Sequence, residues 1–481
     1  MVYTKLDILQ ILCYYRSMST PARNQFQTRI TVPARQISLA DRELSIPTRG
    51  ITRTSTRSIY MPSRDTSPQR FAPSLITKRT TNVNQSAFPY ALPMPPALPH
   101  AMTMLLPAPV APTSVDVLKV EQKQLVLLLP AHNEELIIAE TIRSAVAAGQ
   151  PKADIYVVND NSSDKTEEIA ISLLGANNVL TVERSGKALA VKKAIDKFEL
   201  ESRYVWLHIA DADSIFSQDY FRHYRSKLDP KKYAVAVGFV QSLRGNWIST
   251  YRALTYTYSQ QVTRRVQSHL GMISVFPGPI TCFRTDIIKD LEFGGASLTE
   301  DFDITLQVHR KKLGKILFIP KAVNFTQDPQ SLTDFCKQNM RWQRGFFQGV
   351  KKYKIGLHGQ RIDISLGYQM LQMLLFLFLL FVWIPYVIAV TGNWLIIPVT
   401  IAADIVLNGF IALFASAVAK RWTLIGALPY FYFLRWVEIG IYLIAFVDVI
   451  VLKKFQDEVI GWSTAGRRYQ LSKQALLDVA K

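Results

Sequence analysis

Two acidic residues follow an apolar run near the middle of the chain, and their types suit a metal site. Asp211 and Asp213 are two positions apart, after the run 206–209. Both carboxylates can face one cation when the chain turns after a strand, and a hard divalent ion prefers oxygen ligands and bridges to phosphates. A solvated turn explains such a pair equally well when it is taken alone. Its place at the end of a buried strand is what favours a metal.

A second acidic pair precedes the apolar helical run 304–308. Thr299 can cap this helix, and the helix dipole favours Glu300 and Asp301 in its first turn. A carboxylate that lies in a cleft can also act as a general base toward a hydroxyl group. Capping and catalysis both stay open at this point.

Asp160 and Lys187 are the third pair of candidates. Asp160 lies in a Ser/Asn/Asp turn, where its carboxylate can accept a hydrogen bond from a uracil imide or a ribose hydroxyl. The same turn suits helix capping by Ser162, Ser163 and Asp164, and both roles can coexist. Lys187 opens a helix against the helix dipole, which favours an anionic partner such as a phosphate over a plain surface position.

Gln338, Arg341 and Trp342 lie together in a polar and aromatic motif. Tryptophan offers a flat apolar face for stacking on a ring, and arginine binds phosphate oxygens through two parallel hydrogen bonds. The alternative is an interfacial helix whose Trp and Arg meet lipid headgroups. The basic and apolar stretch 346–362 is typical of such an interface.

The elements that must position these residues are predicted from the hydrophobic periodicity. Short apolar runs alternate with helical patterns, which is typical of a parallel α/β sheet. Ligands bind beyond the carboxyl ends of such strands, where these polar clusters lie. The predicted strands are 124–129, 154–158, 179–182 and 204–209, and the predicted helices are 134–148, 166–174 and 187–198.

Long apolar runs follow, and they predict about three transmembrane helices within 367–452. Two runs, 367–390 and 394–418, are each long enough to cross a bilayer. The third, 423–452, is interrupted by polar residues. Among these, Arg435 and Glu438 share one helical face and can pair.

The composition predicts a basic N-terminal tail and indicates a reducing environment. The 481 residues carry a net charge of +19, and thirteen Lys and Arg against four Asp and Glu within residues 1–114 supply +9 of it. Residues 1–118 are rich in Ser, Thr, Arg and Pro, which predicts a disordered tail. The three cysteines are far apart, which argues against a disulfide framework and a cysteine zinc site. Nucleic-acid binding is the competing explanation of the charge.

Taken in order, these motifs resemble the family 2 glycosyltransferases, and more narrowly the processive cellulose, hyaluronan, chitin and poly-N-acetylglucosamine synthases. The resemblance covers roughly residues 122–345 and the membrane segment. It implies a cytosolic GT-A (Rossmann-like) α/β fold, inversion at the anomeric centre, a UDP-sugar donor, and Mg²⁺ or Mn²⁺. The motifs are Pro130-Ala131-His132-Asn133-Glu134, Asp160, Lys187, Asp211-Ala212-Asp213, Thr299-Glu300-Asp301 and Gln338-Asn339-Met340-Arg341-Trp342.

The resemblance also implies a role for each motif. Asp301 is expected to be the general base, and Asp211 and Asp213 the metal ligands. The residues expected to contact the nucleotide sugar are Pro130, Ala131, Asn133, Glu134, Asp160 (on the uracil), Lys187 and Asp211. Those expected on the acceptor and diphosphate side are Glu300, Gln338, Arg341 and Trp342. The turn 276–279 resembles an acceptor-pocket loop, and the segment 461–468 resembles a gating loop through Trp462, Thr464 and Arg467.

These expectations define the organisation of the chain. They give a disordered basic tail (1–118), a GT-A domain (119–345), an interfacial segment (346–366), transmembrane helices (367–452) and a C-terminal tail with the possible gating loop (453–481). The catalytic domain is expected on the cytoplasmic side of a membrane, most simply the plasma membrane. Three spans would then place 453–481 outside, in conflict with a cytosolic gating loop.

The expected function is transfer of a hexose or N-acetylhexosamine from a UDP-sugar to a growing polysaccharide. The alternative enzyme adds a single sugar to a membrane lipid acceptor. Expected partners are membrane lipids and, because few helices make a thin tunnel, an accessory subunit or a second copy; no nucleic acid is expected. A non-catalytic membrane protein with a decayed transferase domain is disfavoured because every carboxylate of the motifs is present.

Overall fold

The computed structural model describes residues 122–294 and 297–455. The predicted tail (1–118) lies outside the described residues. So does the predicted gating loop with Trp462, Thr464 and Arg467.

The first half of the domain is an alternating α/β unit, as the periodicity predicts. Its four strands are parallel to one another, in the order β3-β2-β1-β4. The strands are β1 (Lys123–Ala131), β2 (Ile155–Asp160), β3 (Val179–Val182) and β4 (Tyr204–Ile209). The helices between them are α1 (Ile138–Ala147), α2 (Thr166–Leu174) and α3 (Lys187–Lys197), followed by the short α4 (Leu200–Arg203).

The second half makes the sheet mixed. The four strands predicted to be parallel end with β4, where the alternation of strands and helices ends as well. The sheet continues β4-β7-β6-β8-β5, with only β6 and β8 parallel to each other. These strands are β5 (Ile215–Phe216), β6 (Tyr233–Ser242), β7 (Thr281–Arg284) and β8 (Lys315–Thr326).

The sheet is buried on both faces, which explains why its strands are continuous apolar runs. Along β1, Leu127 and Leu129 belong to the cluster that contains Ile142 of α1. Val126 and Leu128 belong to the opposite cluster, which contains Val191 of α3 and Ile195. Because both faces are covered, polar side chains at the carboxyl ends of the strands are held in fixed positions.

Helices complete the domain around this sheet. They are α5 (Tyr220–Arg225), α6 (Trp247–Tyr258), a π-helical segment (Ser259–Arg264), α7 (Arg265–Leu270), α8 (Glu300–Arg310) and α9 (Leu332–Lys352). α9 runs through the predicted boundary between residues 345 and 346. Phe347 is fully buried, packed against Tyr442 and Phe446. This part of the predicted interfacial segment is therefore a continuation of the domain.

Two apolar helical stretches follow, and both are long and apolar enough to cross a membrane: Arg361–Thr391 and Ile396–Val418. The first consists of α10 (Arg361–Phe378), a π-helical segment (Leu379–Trp383) and α11 (Ile384–Thr391); the second is α12. The third predicted segment contains α13 (Leu428–Phe446). Its Phe431 and Leu434 pack in one cluster with Tyr251 of α6 and Phe335 of α9.

The predicted pairing of Arg435 with Glu438 is wrong. Arg435 Nη1 lies 3.1 Å from Asp404 Oδ2 on α12, and Glu438 accepts a hydrogen bond from the Tyr251 hydroxyl at 2.8 Å. Each charge therefore finds its partner on a different neighbouring helix. α13 is thereby joined to α12 on one side and to α6 on the other.

α8 and α9 approach closely because two glycines of α9 have no side chain. A Cβ at Gly345 would lie 2.7 Å from Thr299 Cγ2, and one at Gly349 would lie 2.6 Å from Phe302 Cε1. Contacts this short do not occur, so either side chain would push the helices apart. The two motifs that contain Asp301 and Arg341 meet across this contact.

The substitution Gly345→Ala is therefore expected to destabilise the protein, by about 1–3 kcal/mol from overpacking. We expect a lower apparent melting temperature of the purified, detergent-solubilised chain. Gly367→Ala is the matched control, because this glycine is also helical and no atom lies within 4 Å of its Cβ position. Equal melting temperatures for the two variants would contradict the proposed packing constraint.

Candidate active site

A cavity of about 740 Å³ brings most of the predicted site residues together. It is lined by residues from the strand ends, from the first turn of α8 and from α9. The predicted residues among its walls are Glu134, Lys187, Asp211, Asp213, Glu300, Asp301, Gln338, Arg341 and Trp342. Four other predicted residues are not among the lining residues: Pro130, Ala131, Asn133 and Asp160.

Lys187 is held by acidic residues from two different elements. Its Nζ lies 2.5 Å from Asp211 Oδ1 and 3.7 Å from Glu300 Oε1. Although burial alone lowers the pKa of Lys187, these carboxylates raise it above its ordinary value. The lysine is therefore a fixed cation. An anionic partner was predicted for Lys187 from its position at the start of a helix. In this structure that partner is the carboxylate of Asp211.

The turn that resembles an acceptor-pocket loop lies directly against this ion pair. A Cβ at Gly278 would be 2.9 Å from Lys187 Nζ and 3.6 Å from Asp211 Oδ1. Only a residue without a side chain leaves both groups where they are. The turn therefore forms part of the wall beside the charged groups.

Asp301 lies in the first turn of α8, where its Oδ1 accepts a hydrogen bond from the Phe302 N–H at 2.8 Å. Burial and the neighbouring Glu300 raise the pKa of Asp301 to about 6, against the opposing effects of Lys187 and Arg341. This carboxylate is thus ionised at neutral pH and yet basic enough to accept a proton. The geometry suits the predicted general base.

Thr299 occupies the N-cap position of α8 but does not cap the helix through its side chain. Its buried hydroxyl has no hydrogen-bond partner among the described residues. The prediction of side-chain capping is therefore wrong, because the close approach of Gly345 fixes the threonine against α9.

α9 contributes the basic and aromatic wall. Arg341 donates a hydrogen bond to the Leu298 carbonyl at 3.0 Å, which ties it to the segment before α8. The guanidinium of Arg252 lies 5.0 Å from the centre of the Trp342 ring. One side of the indole is therefore occupied by protein. Gln338 Oε1 is buried and has no hydrogen-bond partner within the described ranges.

Asp160 holds the loop before α3. Its side chain is fully buried, and its two oxygens accept hydrogen bonds from the Ser185 N–H (2.7 Å) and the Gly186 N–H (2.9 Å). Because each carboxylate oxygen can accept more than one hydrogen bond, the contact with a uracil stays a prediction. Asn133 has a similar role, since its Oδ1 accepts a hydrogen bond from the Ser163 N–H at 2.7 Å.

Asp211 and Asp213 have the donor chemistry of a magnesium or manganese site. Within the described residues, no group of three or more His, Cys, Asp or Glu side chains could hold a metal. Two carboxylates, completed by phosphate oxygens and water, are nevertheless a typical arrangement for Mg²⁺. The residues therefore fit a metal that binds together with a diphosphate.

One wall of the cavity consists of residues that no sequence motif marks. It is formed by Arg252, Tyr256, Gln260 and Arg264. Their spacing of four residues is a helical signal, but nothing in the residue types distinguishes these positions from an ordinary amphipathic helix. The same holds for Gln327 and Asp328, which follow β8.

Comparison with known proteins identifies the domain. Residues 123–345 match the family described as glycosyltransferase like family 2, so the chain carries a glycosyltransferase family 2 domain. The predicted family and its GT-A-like α/β fold are confirmed.

Among curated relatives, the poly-β-1,6-N-acetyl-D-glucosamine synthase of Staphylococcus aureus is 26% identical over 252 residues, which is 50% of this chain and 60% of that protein. The Staphylococcus epidermidis enzyme of the same name is 24% identical, over 48% of this chain and 58% of its own length. The chain thus spans about three fifths of the relatives it matches. A mannosyltransferase from Pyrobaculum calidifontis, solved with GDP-mannose and Mn²⁺, is similar with a TM-score of 0.42 and 17% identity, over 64% of this chain and 86% of that one.

The position of Asp160 leads to a prediction about stability. Asp160→Ala would leave the N–H groups of Ser185 and Gly186 without their acceptor, at a cost of about 1–3 kcal/mol each. We expect a clear drop in apparent melting temperature. Asp196→Ala is the control, because its carboxylate is 60% exposed and forms a surface ion pair with Lys192. A drop no larger than the control's would show that the loop does not depend on Asp160.

Proposed function

We propose that this protein is a membrane-bound glycosyltransferase that moves a hexose or N-acetylhexosamine from a UDP-sugar to a growing polysaccharide, with inversion of the anomeric centre. The observation that carries the proposal is Asp301, a carboxylate with a raised pKa in the same cavity as Asp211, Asp213 and Lys187. The names of the curated relatives favour N-acetylglucosamine as the sugar.

In this proposal, Asp301 accepts the proton of the acceptor hydroxyl. The acceptor oxygen forms a bond to the anomeric carbon while the bond from that carbon to the diphosphate breaks, and UDP leaves. Attack from the side opposite the diphosphate inverts the configuration. The base needs a pKa near the working pH, since it must be ionised before the reaction and basic during it.

The negative charge that develops on the departing diphosphate must also be stabilised. Asp211 and Asp213 would hold Mg²⁺ or Mn²⁺, which supplies Lewis-acid stabilisation of the leaving group. Lys187 and Arg341 are fixed cations of the same cavity, and they stabilise negative charge without rearrangement. Trp342 and Gln338 are then left to position the acceptor.

The two apolar stretches support a membrane location. Two spans return the chain to the side on which it entered. We therefore propose that the described end of the chain, at residues 453–455, lies on the same side as the catalytic domain, the cytoplasmic side. This removes the conflict between three spans and a gating loop, with α13 packed on the domain instead of serving as a third crossing.

A single-addition enzyme that uses a lipid acceptor is the second candidate. It is favoured by the small number of apolar helices within residues 361–451, because two or three helices cannot enclose a polymer tunnel without further helices, a second copy or an accessory subunit. Product length decides between the two candidates.

The deciding experiment measures UDP release by membranes that contain the full chain, supplied in turn with UDP-glucose, UDP-N-acetylglucosamine, UDP-galactose and UDP-glucuronate. We expect release with UDP-N-acetylglucosamine, and a loss on the order of 10²–10⁴-fold in Asp301→Asn. Asp286→Asn is the control, since this carboxylate is 60% exposed on the surface. Radiolabelled one-sugar lipid products without polymer would favour the second candidate, and no release from any donor would reject both.

The raised pKa of Asp301 predicts an acid limb in the rate. Below about pH 6 the carboxyl is protonated and cannot accept a proton, so kcat/KM should rise as the pH increases through 6. Glu300→Gln removes a negative neighbour that raises this pKa, so the acid limb should move to lower pH. A pH profile at saturating donor measures both effects. An acid limb at the same pH in Glu300→Gln would contradict the assignment.

A further inference from the structure

One wall of the cavity is a long helix that carries a row of polar side chains with an arginine at each end. α6, the π-helical segment 259–264 and α7 follow one another without a break. At intervals of four residues, the side chains that line the cavity are those of Arg252, Tyr256, Gln260 and Arg264.

The π-helical segment is what keeps Arg264 on this face. In a regular α-helix, position 264 would be rotated by about 120° from position 252, because each residue turns by about 100°. A π-helix has more residues per turn, so each of its residues rotates by less than about 100°. The side chain of residue 264 is therefore returned to the same face as that of residue 252. Such segments are rare and are frequently found at functional sites.

Arg252, at the start of the row, is neutralised by the protein. Its Nη1 lies 3.4 Å from Asp328 Oδ1, and both side chains are almost fully buried. Its guanidinium also lies 5.1 Å from the centre of the Phe335 ring and 5.0 Å from that of Trp342. This arginine is a structural part of the wall behind the indole.

Arg264, at the other end, has no counter-ion. Its Nη1 donates a hydrogen bond to Gln260 Oε1 at 2.7 Å and its guanidinium lies 5.9 Å from the centre of the Phe318 ring, but within the described ranges it forms no ion pair with a carboxylate. Burial lowers the pKa of Arg264 to about 10, so it is still a cation at neutral pH. A partly buried cation without a counter-ion is costly, which indicates that a ligand supplies the negative charge.

The group that holds Arg264 is rigid. Gln260 is buried, and its side chain bridges to β6 by accepting from the Val240 N–H at 3.0 Å and donating to the Val240 carbonyl at 2.8 Å. Its Oε1 thus orients Arg264 from a fixed strand. A cation oriented in this way, on the wall of a cavity, has the properties of a built anion subsite.

Arg264 lies on a different wall of the cavity from Lys187 and Asp211. It belongs to the π-helical segment and is held through Gln260 to β6, whereas Lys187 opens α3 and pairs with Asp211 after β4. A diphosphate held beside Asp211 is therefore served by Lys187 and Arg341. Arg264 is left for a different anionic group.

We propose that Arg264 is a subsite for an anionic group of the acceptor, one that carries phosphate or carboxylate oxygens. This inference rests on the proposed transferase function. It narrows the acceptor to a molecule with a negative charge beside the sugar that receives the transfer. A lipid phosphate and a uronate are the two sources of such oxygens.

The test measures binding to the full chain in lipid nanodiscs, at saturating UDP and Mn²⁺, with two matched pairs of probes. Methyl glucuronide is compared with methyl glucoside, and decyl phosphate with decyl alcohol. We expect the anionic member of one pair to bind about tenfold more tightly. That preference should disappear in Arg264→Gln and persist in Arg264→Lys. Arg265→Gln is the matched control, because Arg265 donates to Gln261 and is not among the residues that line the cavity.

The outcomes are distinct. A preference for methyl glucuronide identifies a uronate acceptor, and one for decyl phosphate identifies a lipid phosphate. The inference is overturned if the wild type shows no preference, if Arg264→Gln retains it, or if Arg264→Gln weakens UDP binding to the same extent. UDP release is measured on the same preparations. Release without an anion preference overturns this inference alone, whereas a lack of release from every donor rejects the proposed function.

Discussion

The contact between α8 and α9 is the constraint on which the site depends. It exists because Gly345 and Gly349 present bare backbone to Thr299 and Phe302. Across this contact, the first turn of α8 supplies Asp301 and the neighbouring turn of α9 supplies Arg341. Neither helix belongs to the alternating unit that provides Lys187 and Asp211. The cavity is therefore assembled from two parts of the chain that meet only when these helices are packed.

The charges of the cavity are interdependent. Lys187 is shared by Asp211 and Glu300, and Glu300 in turn raises the pKa of Asp301. Binding a metal at Asp211 would compete with the lysine for the same carboxylate, which would leave Lys187 closer to a free cation. In the proposed mechanism, Asp301, Lys187 and the metal ligands would respond to one another, and the bound donor would change the electrostatics that Asp301 experiences.

Sequence patterns predicted those features that depend on local order. The strand 179–182 and the helix 166–174 have the predicted bounds, because periodicity is a local property. Glu134, Lys187, Asp211 and Asp213 reach one cavity because the segments that follow parallel strands meet at one edge of the sheet. The structural role of Asp160 could not be predicted, because the sequence does not show that Ser185 and Gly186 turn their N–H groups toward it.

Features that depend on distant contacts could not be predicted in this way. The antiparallel strands β5 and β7 follow from long connections and not from any local pattern. The sequence does not distinguish Arg264 from a surface residue of an amphipathic helix. In the structure, the π-helical segment and the hydrogen bond to Gln260 direct its side chain toward the cavity. The partners of Arg435 and Glu438 lie 31 and 187 residues away along the chain.

The unbroken length of α9 has a mechanical consequence. Its 21 residues form a rod of roughly 30 Å, with Arg341 in the cavity and Phe347 wedged against α13. α13 is joined to the apolar helix α12 through Arg435 and Asp404. A stiff rod transmits displacement instead of absorbing it, so a tilt of α12 and α13 shifts the arginine. In the proposed membrane-bound enzyme, bilayer thickness and lateral pressure would thereby change the position of Arg341 in the cavity.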